Sequence, residues 1–253
     1  MHQLSKKTYR RCLIRSSMLN FMYTAQGLQS IGFLYGIMPG LREIHTNDEA
    51  FAKSCARYSR HFNCNIFWAP FLTGAFLHLE QQIAAGAMSS DYVGPLKDTA
   101  LNTLSAVGDS FFSGSLLITQ VLIIVCLIAL NSIPAAFIAA LIWLLLSFIL
   151  KFAAFNIGLA RGMSVLRHIR RLNLVNKGDY LKLFNAVLLA ATLTLFTGIS
   201  PELALQPLGL KMVSEVWLMP LGITFLLAYA ASRLHISRSL ATIAILAVAS
   251  III

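Results

Sequence analysis

The stretch Ser110–Leu150, SFFSGSLLITQVLIIVCLIALNSIPAAFIAALIWLLLSFIL, decides the fold: it runs for 41 positions without a charged residue. As one straight helix at ~1.5 Å per residue it would reach about 60 Å, twice the ~30 Å hydrocarbon core of a bilayer. The chain must therefore fold back on itself. Asn131-Ser132-Ile133-Pro134 is the natural break, because asparagine and serine favour turns and proline suits the first turn of a new helix. One membrane span is predicted near 114–130 and a second near 134–152. Charge-free runs at 183–201, 216–232 and 239–253 are each about long enough to cross as well, the last being short. Five spans follow, all beyond residue 110.

Composition agrees with that reading. Of 253 residues, 57% are hydrophobic and only 12% charged, with a mean hydropathy of +0.73. A soluble domain carries about a quarter charged residues, so a soluble globular enzyme and a disordered chain are both excluded. The net charge of +10 raises nucleic acid as a partner, but its placement explains it otherwise. Arg161, Arg167, Arg170, Arg171, Lys177 and Lys182 face a lone Asp179 in the connection after the second span, and Arg233 and Arg238 sit in a short turn with no acid. Residues 202–215 are balanced by Glu202, Lys211 and Glu215. The positive-inside rule puts the two basic connections in the cytoplasm and 202–215 outside. With five spans, the N-terminus is then cytoplasmic and the C-terminus external. No aromatic interleaving supports nucleic-acid binding, and no nucleic-acid partner is expected.

The first 110 residues differ in kind, holding ten of the 20 basic residues and seven of the ten acids. Residues 4–15 read as a basic amphipathic helix on the cytoplasmic membrane surface. Ser30–Arg42 is apolar and glycine-rich and is expected to end at Pro39-Gly40. Thr46-Asn47-Asp48-Glu49 is a helix-capping turn before an amphipathic helix over Glu49–Arg60. Phe62–Leu79 is apolar but dotted with Asn63, Asn65, Pro70 and His78, a pattern that suits a re-entrant or cavity-lining element. No cleavable signal peptide is expected from so charged a start. The chain thus divides into 1–110, a cytoplasmic-side region of amphipathic and re-entrant helices, and 111–253, the transmembrane helices. The fold class is an all-α integral membrane protein.

Candidate functional residues are the polar groups inside or beside apolar stretches. Glu80 follows the dotted segment in Leu79-Glu80-Gln81-Gln82, and Asp109 stands directly ahead of the longest apolar run. A carboxylate near membrane depth costs a few kcal/mol unless paired or hydrated, and so marks a functional site by default; capping a helix end at the interface is the alternative. Asn63, Asn102, Gln26 and Gln29 are neutral hydrogen-bonding groups in similar settings. Amides and a few carboxylates are what a sugar pocket needs, since hydroxyls both donate and accept; the same groups also hold helices together. Enzyme signatures are missing. The six histidines form no metal-ligand spacing, and the chain lacks a GxSxG motif and a phosphate loop. Cys12, Cys55, Cys64 and Cys126 form no CxxC pair. No catalytic residue, metal or cofactor is expected. His168 and His235 are flanked by arginines and belong to the positive-inside bias.

Several short segments together resemble the IID subunit of the mannose-family (mannose/fructose/sorbose) sugar phosphotransferase permeases. Arg60-His61-Phe62-Asn63-Cys64, Gly74, Leu79-Glu80-Gln81-Gln82 and Gly86 are similar to that family's FFNT, glycine, LEEQ and glycine. Arg15-Ser16-Ser17, Gln29-Ser30-Ile31-Gly32-Phe33 and Met38-Pro39 resemble its RSN, QALGF and VP, and Val107-Gly108-Asp109 with Phe112 and Gly114 its GVGDPxFxG. Leu218-Met219-Pro220 resembles its late MPG. The order is kept over almost the whole chain. The chain departs from the pattern at Tyr23–Gln29, where the family has WNFER-MQ, at Asn102–Ser110, which lacks two glycines and both prolines, and at Ile66, where a proline is usual. The resemblance implies a bacterial inner-membrane subunit that pairs with a IIC subunit to form a hexose channel. It further implies soluble IIA and IIB partners carrying the phosphohistidines, and trimers of IIC–IID pairs. Asn63, Glu80, Asn102, Asp109 and Gln29 are the residues expected to line or support the pathway. The departures leave open a second reading, a non-transporting scaffold or regulatory relative that assembles with IIC or IIB.

Overall fold

The computed structural model describes residues 4–197, and these are helical with no named strand. In chain order the helices are α1 (Lys6–Ser16), α2 (Ser30–Ile44), α3 (Asp48–Tyr58), α4 (Ala69–Ala84), α5 (Val93–Gly108), α6 (Leu117–Ala129), α7 (Ile133–Arg161), α8 (Leu166–Arg171) and α9 (Leu174–Thr197). A π-helical segment, Asp109–Leu116, joins α5 to α6. Among the described residues, two helical stretches are long and apolar enough to cross a membrane, Ser90–Ala129 and Ile133–Arg171.

Local sequence sets most boundaries. Ser5 caps α1 by accepting a hydrogen bond from the Thr8 amide, and Asn47 caps α3 by accepting from the Glu49 and Ala50 amides at 2.7 and 3.3 Å. Pro70 lies in the first turn of α4, where its missing N–H costs nothing. The break inside the long apolar run falls where the sequence places it. The last turn of α6 closes through Leu130 and Asn131 amides bonding to Cys126 and Ile128 carbonyls. Asn131 takes the left-handed conformation (φ 58°), which asparagine tolerates.

Two expectations are corrected. Pro39 does not end its helix: α2 continues through it to Ile44. Packing overrides the lost hydrogen bond, because Gly36 lies against the Ser16 backbone and Gly40 against Leu77 and Cys12. The segment 62–79 divides at the start of α4. Its asparagines lie in an extended stretch before α4, and the helix then runs uninterrupted to Ala84. The helices carrying the first two spans also extend well beyond 114–130 and 134–152, back to Ser90 and on to Arg171. The third expected span falls on α9, described as far as Thr197; those at 216–232 and 239–253 lie outside the described residues.

The chain forms two compact units. The first joins Met1–Gly114 to Ile142–Gly178. Its centre is α4, buried continuously from Ala69 to Glu80. Phe76 on α4 meets the rings of Phe33 and Tyr58, and Phe33 stacks on Phe62 at 3.8 Å between ring centroids. Helices α4 and α7 cross at paired glycines. A Cβ on Gly74 would lie 2.3 Å from the Phe155 carbonyl oxygen, and one on Gly158 would lie 2.2 Å from that of Phe71. Backbones this close are the small-residue packing of membrane helices.

Among the described residues the second unit comprises Ser115–Leu141 and 179–197. Helices α6 and α9 are joined by polar groups. Asn185 donates to the Ser115 carbonyl at 2.9 Å and accepts from Thr119 at 2.6 Å, and Cys126 meets the Thr192 hydroxyl at 2.8 Å. Val121 and Ile128 on α6, like Phe148 and Ile149 on the first unit's part of α7, are exposed. Exposed apolar side chains of this kind on each unit belong in lipid.

Candidate functional site

The first unit holds an open cleft of ≈ 460 Å³ lined by His61, Asn63, Asp98, Leu101, Asn102 and Ser105, within the ~300–1,000 Å³ range of small-molecule sites. Two elements build it. Asp98, Leu101, Asn102 and Ser105 recur along one face of α5, and His61 and Asn63 alternate along the extended segment before α4. The lining offers one carboxylate, two amides, a hydroxyl and an imidazole. That set can bind a polyhydroxylated ligand by paired donation and acceptance; among the described residues no cluster fit to hold a metal ion is present.

The extended segment is fixed from behind by Gln29. The Gln29 side-chain oxygen accepts from the Cys64 amide at 2.7 Å, and its NH₂ donates to Asn20 at 2.7 Å. Its backbone amide donates to the Phe62 carbonyl, and the Phe62 amide to Gly27. With Phe62 and Cys64 turned inward, Asn63 and His61 are exposed to the cleft side of the alternation. Burial pushes the Cys64 thiol up to about 12, so it is an inert filler in this wall.

Asp109 closes the other end of the segment. It accepts from Asn65 Nδ2 at 2.9 Å, and the same NH₂ donates to Ser113 at 2.9 Å. The Asn65 side-chain oxygen accepts from the Phe67 amide and its carbonyl from the Trp68 amide, so Asn65 links the start of the π-helical segment to the entry of α4. Gly108 makes this possible. A Cβ there would lie 2.5 Å from Asn65 Cβ and 2.7 Å from Trp68 Cδ1. The Val107-Gly108-Asp109 triplet is therefore a docking corner, with glycine for contact and aspartate for the hydrogen bond.

Glu80 lies elsewhere in the unit and does not line the cleft. It is fully buried and its carboxylate is enclosed. Arg57 donates to it twice, at 3.1 and 2.6 Å, Tyr58 donates at 2.8 Å and His45 Nε2 lies at 2.7 Å. One carboxylate thus ties α2, α3 and α4. Burial and then the adjacent Glu80 charge hold the Tyr58 phenol well above its usual range. Lys97, buried on α5, donates to the Arg57 carbonyl at 3.2 Å and brings α5 to the same junction.

Of the five residues expected to line or support the pathway, the structure brings Asn63 and Asn102 to one cleft, bonds Gln29 and Asp109 to the segment that forms one of its walls, and places Glu80 in a separate buried network. Sequence reading missed His61, Asp98 and Ser105. The i, i+4, i+7 spacing of Asp98, Asn102 and Ser105 carries the signal for the latter two. The Glu80 partners had no local signal, since His45 is 35 residues away.

A family model described as the PTS system mannose/fructose/sorbose family IID component matches residues 3–253. Curated relatives from Escherichia coli K12 and O157:H7, each a PTS system mannose-specific EIID component, are 29% identical over 115 residues. That alignment covers 45% of this chain and 41% of theirs, so it spans about two fifths of the relatives' length. The solved structure of the mannose transporter ManYZ in complex with microcin E492 shares the fold with a TM-score of 0.56 at 22% identity, over 73% of this chain and 69% of that one. A second solved chain, described as a membrane protein, gives a TM-score of 0.63 at 21% identity, over 75% and 70%. The motif order, the all-helical membrane fold and the match over nearly the full length agree, and the chain belongs to the IID components of the mannose/fructose/sorbose family of the sugar phosphotransferase system.

Proposed function

We propose that this chain pairs with a IIC membrane subunit to carry a hexose across the bacterial inner membrane, coupled to phosphorylation of the sugar by IIB. The single observation that carries the reading is the convergence of Asn63 and Asn102 on one polar cleft of sugar-compatible size, one wall of which carries the family-like Phe62-Asn63 pair. In this scheme Asn63 and Asn102, with His61, Asp98 and Ser105, contact sugar hydroxyls. Gln29 and Asp109 hold the cleft walls, and Glu80 holds the helices on which they stand. IIA and IIB supply the phosphohistidines, and His168 is not phosphorylated. The N-terminus is cytoplasmic, the C-terminus external, and IIC–IID pairs assemble as trimers.

The test is co-purification with the IIC-like protein of the same system, followed by hexose uptake in cells carrying IIA and IIB. A stable pair that supports uptake, lost in Asn63→Leu/Asn102→Leu at unchanged membrane abundance, supports the reading. A stable pair without uptake assigns the chain to a scaffold role, and failure to pair overturns both.

A further inference from the structure

We propose that α1 and the turn after it form a binding site for anionic phospholipid, with a cationic half for headgroup phosphates and an apolar tip for acyl chains. The inner face of α1 packs into the first unit through Cys12 and Ser16. Its outer face is two-part along the helix rather than around it. Lys6, Lys7, Arg10 and Arg11 are exposed at the N-terminal half. Ile14 and Met18 follow on the same stripe, and Phe21 and Tyr23 extend it; Phe21 is 84% exposed and Tyr23 59%. Gly32 sits against the Leu19 and Met22 carbonyls, which brings exposed Ile31 beside the same patch.

The depth of this surface follows from α7. Tyr9 donates to Asn156 Oδ1 at 2.8 Å and meets the Phe155 ring edge-on at 5.2 Å. On the first unit's part of α7, Phe148, Ile149 and Phe152 are exposed, and Asn156 lies one turn beyond Phe152, toward the helix end at Arg161. Asn156 stands where the lipid-facing residues of α7 give way to its basic end, the level of the headgroups. Helix α1 is thus fastened at headgroup level, at the end of α7 that leads into Arg161, Arg167, Arg170 and Arg171. Four exposed cations at that level meet the negative leaflet surface. The aliphatic and aromatic tip has the chemistry of an interfacial insertion. A soluble partner would instead leave Phe21, Met18 and Ile14 facing water until it bound.

The test uses the detergent-purified full chain offered equal amounts of phosphatidylglycerol and phosphatidylcholine, with retained lipid counted by native mass spectrometry. Each cation near an anionic surface is worth about fivefold in binding. The wild type is expected to prefer phosphatidylglycerol, and Lys6→Gln/Lys7→Gln/Arg10→Gln/Arg11→Gln to lose at least ~10-fold of that preference with unchanged thermal stability. An unchanged preference overturns the proposal. A second readout places an environment-sensitive fluorophore at Phe21→Cys, with Cys55 and Cys126 replaced by serine, in lipid vesicles. Quenching by acyl-chain nitroxide lipids is expected. Quenching by aqueous iodide alone, or shielding from both quenchers when the chain is reconstituted with its IIC subunit, overturns the proposal; the latter assigns the patch to protein.

Discussion

Replacing Glu80 by glutamine tests the claim that this residue is a structural keystone. The carboxylate is fully buried and receives two hydrogen bonds from Arg57 and one from Tyr58, with His45 Nε2 at 2.7 Å. Arg57 is itself only 21% exposed in its side chain. Glutamine keeps the shape but removes the charge, and its NH₂ is a donor set against three donors. Breaking one side of a buried ion pair costs about 3–5 kcal/mol because it strands the other charge. For a chain of this size that corresponds to a fall of roughly 6–20 °C in melting temperature. The assay is thermal unfolding of the purified chain in detergent, with membrane abundance measured in parallel; uptake should fall in proportion to abundance. The paired variant Glu80→Met/Arg57→Met removes both charges and is expected to melt above Glu80→Gln alone, since no unpaired charge remains. A Glu80→Gln protein that melts within a degree of wild type while losing transport would refute this reasoning and return Glu80 to the pathway.

Other consequences can be checked separately. Gly158→Leu should destabilise the chain by several kcal/mol, because a Cβ there already collides with the Phe71 carbonyl; a protein that melts normally shows that α4 and α7 do not cross so closely. Gly108→Val should disrupt the Asn65–Asp109 hydrogen bond and with it the cleft wall, which loss of hexose binding in a still-assembled pair would register. Burial raises the Cys12 and Cys64 thiols to about 12 and the Tyr58 phenol above its usual range. Between about pH 9 and 12 the unfolded chain releases protons that the folded chain retains, so stability present at neutral pH falls as pH rises through that window. A flat melting temperature from pH 8 to 11 contradicts it. The same two thiols should resist alkylation at pH 8 in the folded protein.

Charge-free runs and capping residues made the helical membrane fold legible. The break at Asn131–Pro134 and the cap at Asn47 stand where local chemistry puts them, because hydrogen bonds within a few residues decide both. Pro39 was misread for the opposite reason: the contacts that keep α2 going through it come from Ser16, Cys12 and Leu77. The packing of residues 142–178 with the N-terminal residues had no compositional sign, resting on Gly74 facing Gly158 across 84 positions of sequence. In the candidate site, polar residues in apolar surroundings were found, but their roles were not separable. Asn63 and Asn102 line a cleft while Gln29 and Asp109 brace it. Only the partners distinguish these roles, and the partners are distant in sequence.

On the function proposed above, the amide-lined cleft of this IID component contacts the sugar. The most direct test is equilibrium binding of labelled hexose to the purified IIC–IID pair, comparing wild type with Asn63→Ala/Asn102→Ala. Two lost hydrogen bonds at ~0.5–1.5 kcal/mol each should weaken binding by about tenfold while the pair stays assembled. A variant pair that binds hexose as tightly as wild type would contradict the account and move the sugar out of this cleft.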